Sequence, residues 1–485
     1  MKVKKIGLIS GPLIFLLTLG FFEHEALSAQ GTAVLASTLW IAIWWLTEAI
    51  PIAATALLPL ILFPLGGVMP ITEMGASFSN QMIFLFLGGF IIATAIEKTN
   101  LHKRIALSII YAIGSNWNRI ILGFMVATGF LSMWISNTAT AIMMLPIGLA
   151  LVSQIKAENT VRSKMGQSLM FAIAYGCSIG GIATIIGTPT NPIFLGYVEQ
   201  NYGITISFTQ WMSVGLPFSV VMIILGWLYL TKVSFPSSND ELSGGLSTIG
   251  EQLRDLGKMS YQERTVSILF AIVAFLWIVR KSLIAPYIDG TSDALIAIAG
   301  AIALFIVPSG DRKRPYGITD WKNAETIPWG ILLLFGGGLA IASGFKSSGL
   351  DIWIGNRMVA FGVFPSILLI LAIITVVNFL TEITSNVATA SMLMPVLGAL
   401  AFTIDAHPFF LMTGATIAAS CAFMLPVATA PNAIVFGSGL LTIKGMMKVG
   451  FWMNIISIIL AALLVYFVLP KVWGIQIDVF PEIFK

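Results

Sequence analysis

Two stretches place hydroxyl and amide side chains inside otherwise apolar sequence: Met133-Trp134-Ile135-Ser136-Asn137-Thr138-Ala139-Thr140 and Glu382-Ile383-Thr384-Ser385-Asn386-Val387-Ala388-Thr389. In each, one apolar limb ends and another begins: 119–134 then 139–153, and 366–380 then 388–403. Where a helix starts, its first backbone N–H groups have no intrahelical partner and its dipole presents a positive end. Such an end accepts an anion. Ser and Asn add neutral hydrogen bonds that hold a carboxylate without a buried cation. The limb before each junction ends in unpaired carbonyls, which suit a hard cation such as sodium. Taken singly, each motif could also be a pair of helix caps with no ligand.

Two further motifs interrupt apolar runs with Gly or Pro. They are Gly180-Gly181 with Gly187-Thr188-Pro189-Thr190-Asn191-Pro192, and Pro426-Val427-Ala428-Thr429-Ala430-Pro431-Asn432. None of the four motifs contains Lys or Arg. A dianion bound there needs neutral donors, dipoles and co-bound cations to balance it, because burying a bare charge is costly. Cation coupling is therefore physically reasonable.

The chain repeats itself. Phe86-Leu87-Gly88-Gly89-Phe90 matches Phe335-Gly336-Gly337-Gly338-Leu339 at an offset of 249 residues, as do the two Ser-Asn motifs and Pro146 with Pro395. Thr188–Asn191 matches Thr429–Asn432 at 241, and Val214-Gly215 matches Val449-Gly450 at 235. Five apolar spans separate the Ser-Asn motifs. Five is odd, so the copies enter the membrane from opposite faces. Inverted repeats with broken helices in corresponding positions mark secondary transporters.

The elements that must position these motifs are membrane helices. Of 485 residues, 57% are hydrophobic and 10% charged, against about 25% charged in soluble chains. Mean hydropathy is +0.93. Residues 6–22, 208–230, 265–279 and 449–469 are clear spans near the roughly 20 residues a crossing needs. The basic start is read as part of a retained first helix rather than a signal peptide. Spans are expected near 6–22, 32–47, 52–66, 82–97, 166–200, 208–231, 265–284, 291–307, 328–345, 409–442 and 446–469. Short helices are expected at 101–113 and 350–361, and a polar loop at 232–264. The fold expected is an all-α membrane protein with about 11 transmembrane helices and two re-entrant hairpins.

Charge sets the orientation. With the N-terminus cytoplasmic and the C-terminus outside, 20 of 26 Lys and Arg fall inside. They include Lys103, Arg104, Lys156, Arg162, Lys164, Arg312, Lys313 and Arg314. Arg280, Lys281, Lys346, Arg357, Lys471 and Lys485 fall outside. This satisfies the positive-inside rule.

Other chemistry is excluded. Cys177 and Cys421 sit in apolar runs and read as packing residues. His24, His102 and His407 form no metal cluster. No nucleophile–base pairing or phosphate loop is present, so the chain is not read as an enzyme. No basic stripe interleaved with aromatics suggests nucleic acid. Glu48 and Glu382 are membrane-proximal carboxylates, which default to function. Glu48 is read as structural at its turn, and Glu382 as a brace for the second hairpin.

At these motifs, with Thr47-Glu48-Ala49-Ile50-Pro51, the sequence resembles the divalent anion/sodium symporter family over roughly residues 30–470. Members of that family carry succinate, malate, fumarate, citrate or sulfate. The resemblance implies homodimers in the cytoplasmic (inner) membrane, with a scaffold and a transport domain that moves like an elevator. It divides the chain into scaffold helices 1–113, a first transport segment 114–207, a mainly scaffold segment 208–364 and a second transport segment 365–485. It implies that Ser136, Asn137 and Thr138 hold one carboxylate and Ser385 and Asn386 the other, with Val387, Thr188, Pro189, Thr429 and Ala430 beside them. It implies one sodium ion among Ser132, Ser136, Asn137 and Gly187, and a second among Thr381, Ser385, Asn386 and Ala428. The four-residue spacing Ser132–Ser136 recurs as Thr381–Ser385, one helical turn in each half. Val387 stands where many bacterial members have Thr, and Thr190 and Ala430 where the usual pattern has Pro. The expectation is a sodium-coupled dicarboxylate symporter. A sodium-independent dicarboxylate exchanger of the same fold is the alternative, and an anion channel a remote one.

Overall fold

The computed structural model describes residues 2–22, 24–114, 116–154, 159–236, 245–310 and 317–484. Of the cations counted above, Lys156, Arg312, Lys313, Arg314 and Lys485 lie outside the described residues. Among those described, the regular structure is helical, with one isolated bridge between Pro308 and Gly317. Nine of these helices are long and apolar enough to cross a membrane. Eight coincide with expected spans, and the ninth, Asn386–Thr403, is a hairpin limb. The remaining expected spans are shorter pieces.

Local sequence sets where these helices start. Ser28, Asn80, Asn116, Ser207 and Ser292 cap helices by accepting a backbone N–H through the side chain. Ser260 and Glu263 form a reciprocal capping box. Arg104 Nε donates to Glu263 Oε1 at 2.8 Å, tying the interfacial helix Leu101–Ile113 to that helix start.

The hairpin limbs are Trp117–Ser132 with Asn137–Ser153, and Ser366–Thr381 with Asn386–Thr403. Their 16 to 18 residues span about 24–27 Å. Three expected spans prove discontinuous. The third is Ile52–Thr55 and Pro59–Leu65, with Pro59 starting the second piece. The fifth is Asn159–Ile182 and Thr190–Tyr202. The tenth is Pro408–Ser420 and Ala430–Phe436.

Helix 162–182 is central, 94% buried, whereas Val3–Phe21 and Tyr261–Ile284 are each 17% buried and face outward. Gly180 packs backbone to backbone on Gly129, so the first hairpin and the fifth span cross closely, as small residues allow in membranes. One large apolar core joins both hairpins and both broken helices. A smaller core gathers Val34, Ile41, Trp45, Phe63, Ile341 and Phe345 from the second, third and ninth spans.

The repeat is visible in packing. Gly215 sits against the Ile182 carbonyl, and Gly450 against the Phe423 carbonyl, at the matching break of the other half. A methyl group at either glycine would meet backbone below contact distance. Gly450→Ala is therefore expected to destabilise by about 1–3 kcal/mol and lower the thermal midpoint of the purified protein by a few degrees. Gly20→Ala, with open space around it, is expected to leave the midpoint unchanged. Equal midpoints for the two variants would contradict this packing.

Candidate functional site

The four polar breaks meet. A cavity of about 560 Å³ is lined by Ser136, Asn137 and Thr138 of the first hairpin tip and Ser385, Asn386 and Val387 of the second. Thr188, Pro189, Thr429 and Ala430 of the broken helices complete that polar side. All ten residues expected around the solute thus share one space. Trp45, Phe86, Phe90 and Ile331 form an apolar wall, and Thr47 and Glu48 also line the space.

The tips are helix starts. Ser136 precedes Asn137–Ser153, and its Oγ accepts from Ala139 N at 3.2 Å. Ser385 caps the matching helix without that bond, which leaves its hydroxyl for the cavity. The cap reading therefore describes half of Ser136's capacity and none of Ser385's. Both helices direct their first N–H groups and positive dipole ends toward the same space.

Of the residues expected around cations, Ser136, Asn137, Gly187, Ser385, Asn386 and Ala428 line the cavity. Ser132 and Thr381 lie behind it, fully buried. The Asn137 amide oxygen contacts the Ser132 hydroxyl and lies 3.3 Å from Cys177 O and 3.2 Å from Gly187 O. Facing carbonyl oxygens have no proton to share, so this cluster asks either for a cation or for the amide to turn and donate. In the second half, Thr381 Oγ1 lies 2.7 Å from Asn386 Oδ1 and 3.0 Å from Ala419 O. The second set is all oxygen without formal charge, suited to a hard cation, and the first is so when the Asn137 amide presents its oxygen.

Polar side chains keep the breaks in shape. Asn191 Nδ2 donates to the carbonyls of Gly181, Ile182 and Thr184, the last at 2.7 Å. Its repeat mate Asn432 donates to Ala422 O at 3.2 Å and Leu425 O at 3.0 Å. In the first half the Thr184 hydroxyl donates to Met133 O and accepts from Gly187 N. In the second half Glu382, at the position matching Met133, does the corresponding work. It is 3% exposed and accepts from the N–H groups of Phe423, Met424 and Leu425 at 2.7–3.1 Å. Asn454 Nδ2 adds a further bond at 2.7 Å. Glu382 thus braces the second break from the hairpin. Thr190, where a proline was the usual pattern, is tied instead by its hydroxyl to Ser420 Oγ at 2.6 Å.

Sequence reasoning had no role for Thr184 and Asn454, and none for the side chains of Asn191 and Asn432. The repeat itself was the available signal for the last two, since both Asn follow Thr by three residues at matching places. Glu382→Gln is expected to cut transport about tenfold or more, because an amide N–H₂ cannot accept from backbone donors and buried donors left unpaired cost about 1–3 kcal/mol each. The check is initial uptake rate normalised to reconstituted protein; an unchanged rate would remove the bracing role.

Residues 4–474 match the sodium:sulfate symporter transmembrane region. The chain is 47% identical over 480 residues to the sodium-dependent dicarboxylate transporter SdcS of Staphylococcus saprophyticus, covering 97% of this chain and 92% of the relative. It is 48% identical over 481 residues to SdcS of Staphylococcus aureus strain USA300, covering 98% and 92%. In fold it is similar to Neisseria gonorrhoeae MtrF, with a TM-score of 0.60 at 14% identity over 93% of this chain and 97% of that one. It is likewise similar to the Alcanivorax borkumensis YdaH transporter, with a TM-score of 0.57 at 13% identity over 88% and 97%. With a family match running from residue 4 to residue 474 and relatives near half identity along their length, the chain belongs to the sodium:sulfate symporter family, the divalent anion/sodium symporters.

Proposed function

We propose that this protein is a sodium-coupled symporter of C4 and C5 dicarboxylates such as succinate, fumarate, malate and 2-oxoglutarate. The observation that carries the reading is the meeting of two inverted helix starts, each with a Ser-Asn pair, in one cavity without Lys or Arg. Two helix starts facing one space give two carboxylate sites. Ser136, Asn137 and Thr138 hold one end of the solute, and Ser385 and Asn386 the other, with Thr188, Pro189, Thr429 and Ala430 beside them and Val387 as an apolar contact. The names of the SdcS relatives, at 47–48% identity, support both the dicarboxylate and the sodium.

Sodium travels as cargo. One ion belongs among Ser132, Ser136, Asn137 and Gly187, and a second among Thr381, Ser385, Asn386 and Ala428. Each Asn then serves both neighbours: its amide oxygen faces the cation and its N–H faces the carboxylate. A dianion is held in low dielectric only when cations sit within a few ångströms, so binding of the two is mutually reinforcing. Glu382 lies next to Thr381, behind the second set, and is bonded only to neutral donors.

The hairpins and broken helices form the transport domain of an elevator carrier, paired in a homodimer through the scaffold in the cytoplasmic membrane. With the N-terminus cytoplasmic, the cavity opens inward, since Glu48 at its edge pairs with Lys4 at 3.2 Å. The outer side is closed by polar contacts between helix Thr190–Tyr202 and the scaffold. Asn80 Nδ2 donates to Glu199 Oε2 at 3.3 Å, and Gln200 Nε2 donates to Ser77 Oγ at 3.3 Å and to the Ser343 hydroxyl.

Proteoliposomes loaded without dicarboxylate test the reading. An inward sodium gradient is expected to drive labelled succinate uptake. Equal uptake with and without sodium would sink symport, and uptake that requires internal dicarboxylate would assign the exchanger instead. Thr381→Val, which removes a hydroxyl behind the cavity, is expected to raise the half-saturating sodium concentration about fivefold, the worth of one hydrogen bond. Ser385→Ala is expected to raise the succinate KM tenfold or more, since bonds to a charged group are worth about 1.5–3 kcal/mol.

A further inference from the structure

A second cavity of about 670 Å³ lies between the start of helix 162–182, the end of Phe208–Ser234 and the start of Ile443–Trp473. The proposed transport cycle makes no use of it. The orientation above places it at the cytoplasmic surface. Its walls change character with depth. On the last helix, Lys448, Trp452 and Ile456 follow one another at one-turn spacing along the cavity. They descend about 12 Å from charge into hydrocarbon. Gln167 and Phe171 repeat the step from polar to apolar on the fifth span. The third wall is the turn Tyr229–Ser234, a π-helix, a type that concentrates at functional sites. There Tyr229 points its hydroxyl to Val449 O at 3.1 Å.

Charge follows the same gradient. Arg162, Lys164, Lys232, Lys444 and Lys448 stand on these three elements, all exposed. None makes an ion pair among the described residues. No Asp or Glu occurs within 159–182, 208–236 or 430–473. Val233 and Trp452, two wall residues, are 68% and 54% exposed, so the cavity opens sideways to lipid as well as to water.

We infer that this cavity binds an anionic phospholipid, with the phosphate at Lys448 and an acyl chain along Trp452, Ile456 and Phe171. The cytoplasmic leaflet supplies such lipids, and each lysine near the surface strengthens the hold about fivefold. A free phosphate or dicarboxylate would use the charge and leave the apolar depth unfilled. The amphipathic wall selects the lipid.

The test uses the full chain in phosphatidylcholine vesicles carrying a trace of photoactivatable phosphatidylglycerol, with labelled peptides mapped by mass spectrometry. Label is expected on the segments holding Phe171 and Trp452–Ile456. The double variant K444Q/K448Q is expected to lose labelling by more than about tenfold, from two lysines at about fivefold each. K471Q, at the far end of the same helix, is expected to label as the parent does. Retained succinate counterflow in K444Q/K448Q separates loss of the lipid from loss of the fold. Equal labelling by photoactivatable phosphatidylcholine would overturn the proposal. So would displacement of the label by inorganic phosphate or succinate, which would mark a soluble-anion site. Labelling is read directly, so a negative result here leaves the transport reading standing.

Discussion

Backbone that leaves the helix at the middle of a bilayer must find partners inside the protein, and that constraint organises this molecule. Lipid offers no hydrogen bonds, and each orphaned amide or carbonyl there costs several kcal/mol. Four breaks at membrane depth would be a heavy burden on any fold. Here they are gathered to one place and largely satisfy one another through side chains. Asn191 and Asn432 reach back across their own breaks to take carbonyls. Thr184 and Glu382 take amides. The helix starts and the Ser385 hydroxyl are left to face the cavity. The site is therefore the remainder after internal pairing, which is why it is polar, free of Lys and Arg, and sharply placed.

The two halves solve the same problem with different side chains. In the first, a hydroxyl, Thr184, pins the break to the hairpin through the Met133 carbonyl. In the second, a carboxylate occupies the position equivalent to Met133 and collects three amides and the Asn454 side chain. An inverted repeat thus holds two matching breaks with different side chains, a hydroxyl in one half and a carboxyl group in the other.

The hairpins were legible because their signal is local. Polar triplets between apolar limbs placed the helix starts at Asn137 and Asn386, within two residues of the limbs read from sequence. The offsets of 241 and 235 also reappear in the matched packing of Gly215 on Ile182 and Gly450 on Phe423. The third span was read as continuous because 52–66 is uniformly apolar, and hydropathy cannot see the turn before Pro59. Glu382 was read as a brace, yet its partners lie some 40 residues on, in Phe423–Leu425, beyond any periodic pattern. Asn454 and Ser457, which meets Asn378 Nδ2 at 3.3 Å, gave no signal at all. Single polar residues in an apolar helix name no partner until the helices are assembled.

The cavity's two walls bear on how a solute could cross. Hydrogen-bonding groups sit on the hairpins and broken helices, while Trp45, Phe86, Phe90 and Ile331 offer an apolar wall. A ligand anchored to the polar side keeps its bonds if that side moves as a body. The apolar wall has no hydrogen bonds to break as the other slides along it, so the cost of motion there is chiefly area exposed and reburied. The contacts of Glu199 and Gln200 with Asn80, Ser77 and Ser343 are different, because they tie helix Thr190–Tyr202 to its neighbours by directional bonds. Parting those groups would exchange each bond for one to water, at a net cost near 1 kcal/mol apiece. If the polar side does slide, the balance between its two positions would therefore be set at this polar seal rather than at the apolar wall.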